Sequence, residues 1–475
     1  MNVTQVSLRP TEAAIAANAP ALTPELLAAS GARYSRNNEG LDTILSKIDP
    51  NRLDSSVDSI FKMLDYGHQS IADMAPVAMF MDDMSQWLAY TIWSLSPLAG
   101  GQESSTRYIK MGEESIIDPA LLGIPADLRG EWSDEMAACM AAYSESLATW
   151  TALSEDMPSL MRIPGDLVDD PSDKAQKKVK RLRRNYGFDR ARYYLSSAAK
   201  TNVMMVMSAR AWATLCQHLA SHPLPEPREL ATQIREQLTL CAPRLIKHAA
   251  SKPYTEQGIA QDFERLRRQA AAETPACLRP DAAASDCEPT AHLAIAAPNG
   301  VSASDFAEDL RFHDNRYAWI GSSLQRTAVS FSWDAVALAE LRDLNRHRTG
   351  TKFCPYRPVG FYSALDVFPS GDEPALKDAH TTLHRLDAIG RRVTARAHSL
   401  LAEGDPSYVY WMPLGAQLPF EHTTTADKFI YEAELRTGVG AHYRYAQHLH
   451  DALVLWYDAY PETREFILEG TAEPE

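Results

Sequence analysis

The sequence predicts a helix-rich α+β protein. Apolar residues recur at helical spacing in four segments, which are residues 53–64, 135–153, 228–250 and 375–401. Two shorter β-branched or aromatic runs, residues 75–81 and 327–332, predict strands or buried extended segments. Helical patterns therefore dominate, and short extended pieces lie between them.

Composition narrows the possible classes of protein. The chain has 475 residues, of which 45% are hydrophobic and 23% charged, as expected for a globular protein of two or three domains. No run of about 18 apolar residues is present, so we expect no membrane span, and we expect no signal peptide. Six scattered cysteines without a CxxC pair predict a cytoplasmic protein with no metal site.

The overall charge argues against nucleic acid as a general partner. The formal net charge of −15 disfavours general nucleic-acid binding, which needs a basic surface. The strongest basic run, residues 177–184, is expected to be a solvated helix face, with nucleic-acid or coenzyme binding as the alternative. A bound anion would need a local cluster of arginines in a cleft.

Residues 271–299 are rich in Ala, Pro and Asp and predict a linker between residues 1–270 and residues 300–475. Features on its two sides follow the same order. Gly67-His68-Gln69-Ser70 precedes an apolar stretch, a helix and QESSTRY, while Gly321-Ser322-Ser323-Leu324 precedes TAVSFS, a helix and NRHR. This order predicts an internal repeat.

Three motifs carry candidate chemistry, and each also has a structural interpretation. Arg346-His347-Arg348 suits a phosphate, or it complements the dipole of a helix C-terminus. The run from Gln102 to Tyr108 suits a uracil edge and a phosphate, or it caps a helix. His68 could contact a flat cofactor, or it could be structural.

The N-terminal part resembles the flavin-dependent thymidylate synthases (ThyX). The matching motifs are Ala32-Arg33-Tyr34-Ser35, Gly67-His68-Gln69-Ser70 with Asp73, Gln102-Glu103-Ser104-Ser105-Thr106-Arg107-Tyr108, Ala191-Arg192-Tyr193-Tyr194-Leu195 and Ser208-Ala209-Arg210. Two other family features are missing here. Trp93-Ser94-Leu95 stands at the position of the RHR signature. Leu219 stands near the position at which the family has its last substrate arginine.

The C-terminal part resembles the same family but has lost the opposite features. Arg346-His347-Arg348 is intact, whereas the following FCPYRPVGFY has no E-x-S-x-R-Y. Val409, within YVYWMPLG, replaces the arginine of A-R-x-x-L-P. Arg436 and Arg444 are the alternatives for the late substrate arginine, and Asp343 stands where the family usually has Gln.

The two losses are complementary. In the resembled family, one subunit supplies RHR and the late arginine, and a neighbour supplies E-x-S-x-R and the arginine of A-R-x-x-L-P. The resemblance therefore implies two ThyX-like modules, each with a small antiparallel sheet, that form a pseudo-dimer with one complete site. It further implies that two chains pair as a homodimer.

The resemblance implies reductive methylation of uracil C5 in dUMP to give dTMP, with FAD, NADPH and methylenetetrahydrofolate. The catalytic residues would be Arg444, Ser105, which orients the base, and Arg346. The substrate-binding residues would be Glu103, Ser105, Arg107, Arg192, Arg346 and Arg444. The cofactor-binding residues would be Ser35, His68, Ser70, Glu103, Arg210, Arg346, His347, Arg348 and Arg436.

Two alternatives remain open because Asp343 and Gln102 depart from the family pattern. One is methylation of UMP or another pyrimidine nucleotide in a specialised pathway. The other is a non-catalytic flavin- or nucleotide-binding homologue that keeps the phosphate-binding arginines.

Overall fold

The computed structural model describes residues 1–35, 40–49, 57–58, 70–106, 111–279 and 288–471. The chain forms two compact units. Unit 1 comprises Met1–Ser104, Ala120–Gly123 and Lys200–Phe263, and unit 2 comprises Ser105–Pro119, Ile124–Ala199 and Glu264–Glu475. These units differ from the expected division at the linker, because residues 124–199 pack with the C-terminal part of the chain.

Helices make up most of the described chain, as the sequence predicts. In chain order they are α1 Glu12–Ala16, α2 Pro24–Tyr34, α3 Leu41–Ser46, α4 Ser70–Asp73, α5 Gln86–Ser94, α6 Pro119–Leu122, α7 Arg129–Asp156, α8 Gly165–Asp169, α9 Asp173–Ala191, α10 Ala209–Ala220, α11 Pro225–Cys241, α12 Pro253–Ala272, α13 Ala303–Leu310, α14 Ser322–Arg326, α15 Leu338–Leu344, α16 Pro374–Glu403, α17 Ala426–Arg436 and α18 Tyr443–Ala459. None of the described helices is long and apolar enough to cross a membrane.

The predicted long helices are confirmed at α7 and α16, and α11 ends at Cys241, before the predicted end of its segment. The predicted helix over residues 53–64 lies almost wholly outside the described residues. The basic run lies on α9, where Val179 and Leu182 are buried and the lysines are exposed. That arrangement agrees with a solvated helix face.

Unit 1 holds a four-stranded antiparallel sheet. Its strands are β1 Asn2–Val6, β2 Pro76–Ser85, β3 Gly100–Glu103 and β4 Lys200–Ser208, in the order β1-β2-β4-β3. Alternate residues of β4 are buried, as in a strand with one face on the core. Ser85 ends β2, caps α5 and donates from its N–H and hydroxyl to the buried carboxylate of Glu226, both at 2.8 Å.

Unit 2 holds the second antiparallel sheet. Its strands are β5 Ala291–Ala296, β6 Ala328–Ala337, β7 Thr351–Phe353, β8 Gly360–Phe361 and β9 Ala416–Thr425, in the order β5-β6-β9-β7 with β8 also on β9. β5 lies inside the segment expected to be a linker. Burial alternates along the AHLAIA sequence of β5, and the strand pairs along its whole length with β6.

The two sheets share their strand order and their irregularities. In unit 1 the register between β2 and β4 shifts between Met81 and Met84, and in unit 2 the register between β6 and β9 shifts between Trp333 and Val336. In both sheets the two central strands run directly into a helix, α5 and α10 or α15 and α17. Two sheets of the same topology are what a tandem repeat predicts. The pseudo-dimer arrangement itself stays a prediction.

Within unit 2, a segment from the N-terminal half is built into the C-terminal half. Trp132 on α7 donates its indole N–H to the carbonyl of Tyr410 at 3.1 Å. The backbone of residues 193–197 pairs with that of residues 412–415, for example through Gly415 N–H to Tyr193 O at 2.7 Å. These bonds hold the A-R-x-x-L segment against its sequence counterpart, YVYWMPLG.

We predict that Gly350→Ala destabilises unit 2 more than Gly300→Ala does. Both glycines have positive φ, at 63° and 82°, so alanine costs about 1 kcal/mol at either site. At Gly350 the added Cβ would also lie 2.0 Å from the carbonyl oxygen of Thr423 on β9, whereas nothing lies within 4 Å at Gly300. Urea unfolding should give at least twice the loss for Gly350→Ala; equal losses would contradict this packing.

Candidate functional site

Two arginines that are far apart in sequence meet on one carboxylate in unit 2. Arg192 begins the 3-10 turn after α9, and its NH1 and NH2 groups lie 3.1 and 3.2 Å from Oδ2 of Asp343. Arg346 follows the end of α15, and its NH2 group lies 3.0 Å from Oδ1 of Asp343. The structure thus brings together two residues predicted from opposite halves of the chain.

Asp343 is buried and carries its charge. Burial raises the pKa of its carboxyl, but Arg346, Arg192, His442 and Arg436 outweigh burial and hold the pKa well below its usual range. We call Arg192, Arg346, Arg436 and Asp343 the arginine cluster. It contains three guanidiniums and the ionised carboxylate of Asp343.

The remaining RHR residues turn inward. His347 is buried, and its Nε2 accepts from Nε of Arg436 at 2.7 Å. Burial lowers the pKa of His347 to about 4, so the ring is neutral at physiological pH. Arg348 donates to the carbonyl of Asn345. Arg346 is the one residue of the three whose side chain is more than half exposed, at 55%.

A second carboxylate lies one helical turn before Asp343. Glu340 on α15 is 1% exposed, 3.8 Å from NH2 of Arg192 and 4.0 Å from Nε2 of His448. Burial raises its pKa to about 7, although Arg192, Tyr193 and Arg444 lower it. Glu340 was not among the predicted site residues, and the signal available was a glutamate in an otherwise apolar helical turn.

A cavity of about 1050 Å³ lies in unit 2 beside α18. Its walls include Arg190, Tyr443, Arg444 and Asp366. Arg444 is paired with Asp366 at 2.8 Å and lies over the ring of Tyr362 at 4.3 Å, and Arg190 lies between the rings of Tyr186 and Tyr443. Its volume suits a small-molecule ligand, and its walls offer cations and flat aromatic faces.

The tyrosines link the cavity to the interior of unit 2. The Tyr443 hydroxyl lies 3.4 Å from that of Tyr193 and 3.3 Å from that of Tyr362. Burial raises the pKa of all three phenols, so they stay neutral. These tyrosines also were not predicted from the sequence.

Four of the predicted residues that the structure describes lie in unit 1. Arg210 is paired with Asp73 at 2.7 Å, and Ser208 donates to the same carboxylate. Ser35 caps the end of α2 with its hydroxyl on Ala32 O, Ser70 begins α4, and Glu103 ends β3. The pairing of Arg210 with Asp73 brings together two motifs that the sequence placed far apart.

Three further predicted residues are Ser105, His68 and Arg107. Ser105 belongs to unit 2 and is half-buried. His68 and Arg107 lie outside the described residues, so their predicted roles stay predictions.

Strand register refines the comparison between the two halves. Counted from the ends of β2 and β6, Ser94-Leu95-Ser96 corresponds to Arg346-His347-Arg348, one residue later than the sequence motifs indicated. Counted from the ends of β4 and β9, Leu219 corresponds to Arg436, and Val409 to Arg192. Arg436, rather than Arg444, is thus the arginine at the position that corresponds to Leu219.

Comparison with known proteins agrees with these motifs. Residues 20–244 match the family of the thymidylate synthase complementing protein, Thy1. The UPF0159 protein Ta1429 of Thermoplasma acidophilum is 23% identical over 430 residues, which cover 80% of this chain and 82% of that protein.

Flavin-dependent thymidylate synthases of Mycobacterium bovis and Mycobacterium tuberculosis are 26% identical over 182 residues, or 38% of this chain. The chain spans 64% of the length of these mycobacterial relatives. A crystal structure of the UMP/dUMP methylase PolB from Streptomyces cacaoi, bound with 5-Br dUMP, aligns over 52% of this chain and 93% of that one, at 12% identity and a TM-score of 0.32.

The expected resemblance is confirmed by the family match, which spans all five N-terminal motifs. Through residues 20–244, the chain therefore resembles the thymidylate synthase complementing protein family, ThyX.

Proposed function

We propose that the protein methylates C5 of the uracil ring of dUMP to give dTMP. Methylenetetrahydrofolate would supply the carbon and NADPH the reducing equivalents, with FAD as the cofactor. The family match over residues 20–244 supports a nucleotide-methylating enzyme, and the names of the mycobacterial relatives support a flavin. We further propose that two chains form a cytoplasmic homodimer.

One observation carries this proposal. Arg192 lies inside the family-matched segment and Arg346 lies outside it, yet both contact Asp343. Complementary half-sites require such convergence, because each half lacks an arginine that the other keeps: Val409 corresponds to Arg192, and Leu219 to Arg436. The arginine cluster is therefore the best candidate for the place where an anionic group of a nucleotide is held.

The residues fit a phosphorylated ligand or cofactor. Arg192 is buried and Arg346 is half-exposed, so an incoming anion would meet a guanidinium with its geometry already fixed. FAD, when bound, supplies the hydride chemistry. Arg346 and Arg436 are the described residues that would hold its phosphate groups or those of the nucleotide.

The arginines would also act on the reacting ring. A guanidinium beside a uracil carbonyl stabilises negative charge that develops on the ring when C5 acts as a nucleophile. Arg444, on the cavity wall over Tyr362, is placed to orient a flat ring against aromatic surfaces. Glu103, Ser105 and Arg107 keep their proposed role in holding the base and the phosphate, and Ser35, His68, Ser70 and Arg210 keep theirs toward the cofactor.

A second candidate function is supported by Asp343. Its carboxylate occupies the arginine cluster where the resembled family has a neutral side chain, so it changes the charge presented to a ligand. That difference favours another pyrimidine nucleotide, such as UMP, as substrate, or a homologue that binds nucleotide without catalysis.

Methyl transfer to dUMP and UMP should be measured side by side, with labelled methylenetetrahydrofolate, NADPH and protein reconstituted with FAD. The proposal predicts label in dTMP and a smaller amount in the UMP product. Preferential labelling of the UMP product would favour the second candidate. Transfer to neither nucleotide, from protein that holds flavin, would reject the enzymatic function.

Arg346→Ala should weaken dUMP binding by roughly tenfold to a hundredfold, because a charge-assisted hydrogen bond contributes about 1.5–3 kcal/mol. The matched control is Arg326→Ala, which removes the same charge from an exposed arginine at the end of α14. Isothermal titration calorimetry with dUMP measures both. Equal dUMP affinities for the two variants would show that Arg346 does not bind dUMP.

A further inference from the structure

Two carboxylates on α15 share one guanidinium. Glu340 and Asp343 are one helical turn apart, and both approach Arg192, at 3.8 Å and 3.1 Å. All three side chains are nearly excluded from solvent, with exposures of 8% or less. Like charges so close in a buried site favour one ionised and one protonated carboxyl.

The surroundings decide which carboxyl keeps the proton. Asp343 receives hydrogen bonds from Arg192 and an ion pair from Arg346, so it stays ionised. Glu340 lies beyond hydrogen-bond distance of Arg192, and its partner across the site, His448, is neutral because burial and Arg444 lower the imidazole pKa. Glu340 is therefore the carboxyl of the pair that exchanges a proton.

Groups from three elements face Glu340. They are Asp343 on α15 itself, Arg192 and Tyr193 on the 3-10 turn after α9, and Arg444 and His448 on α18. Burial places the pKa of Glu340 at about 7 against the lowering effects of Arg192, Tyr193 and Arg444. A change in the potential from Arg192 therefore shifts the protonation of Glu340 near neutral pH.

We propose that binding of an anion at the arginine cluster draws a proton from solvent onto Glu340, which is thus a positioning residue for the site. The inference depends on the proposed function only in that the cluster holds an anionic group. A bound anion offsets the positive potential of Arg192, and that potential is the largest of the three effects that favour ionised Glu340. The Glu340 carboxylate then takes one proton from the buffer, and no other bond forms or breaks.

The sign of the pH dependence follows. If binding takes up a proton, affinity is highest where protons are abundant and falls as pH rises through about 7. Because Glu340 starts about half protonated at that pH, the uptake is a fraction of one proton. Affinity should fall roughly tenfold between about pH 6 and pH 8.

Sulfate is a suitable probe, because its charge is constant across neutral pH whereas a phosphate titrates there. Sulfate should be titrated calorimetrically into the full-length protein at about pH 7, in two buffers of different ionisation enthalpy. The proposal predicts a binding enthalpy that depends on the buffer, with the sign of proton uptake. Equal enthalpies in the two buffers would overturn it without recourse to any variant.

The variant Glu340→Gln tests whether Glu340 is the group that takes up the proton. It keeps the shape of the side chain but cannot titrate, so it should bind sulfate with no buffer dependence and a flat pH profile. The control Glu308→Gln removes an exposed carboxylate from α13 and should retain the uptake. Proton uptake that persists in Glu340→Gln would overturn the assignment of the proton to Glu340. An absence of sulfate binding to the unmodified protein would overturn both this inference and the proposed anion site.

Discussion

The Asp343 carboxylate, shared by Arg192 and Arg346, is the interaction on which the rest of the site depends. Each of its oxygens faces a different guanidinium, and the two guanidiniums come from opposite halves of the chain. Buried arginines are stable only when their charge is compensated, so Asp343 allows the cluster to form in the absence of a ligand. The same carboxylate competes with any anion that enters, and it sets how much positive charge a ligand meets.

The fold explains how these residues come together. Residues 193–197 pair with residues 412–415, and this pairing places Arg192 beside the end of α15. The two sheets repeat one strand order and one bulge, so corresponding positions can be compared directly. At those positions arginine is present in one half and absent in the other: Arg192 against Val409, and Arg436 against Leu219. A duplicated module that keeps one site needs only one copy of each arginine.

The sequence predicts much of the fold and part of the site. Helical periodicity identified α7 and α16, and β-branched runs identified β2 and β6, because local patterns report which face is buried. The strand β5 was not predicted, since its short AHLAIA run is half alanine and adjoins a segment rich in Ala, Pro and Asp. Glu340 and the tyrosine cluster were not predicted either, because their importance comes from burial and from neighbours distant in sequence.

A double-mutant cycle on Arg192 and Arg346 tests the convergence of the two halves most directly. Arg192→Lys and Arg346→Lys keep the charge but remove the planar fork, and dUMP affinity is measured for each single variant and for the pair. Two arginines that hold one anionic group should be coupled by about 1 kcal/mol or more. Strictly additive losses would contradict the account, because they would mean that the two guanidiniums act on the ligand independently.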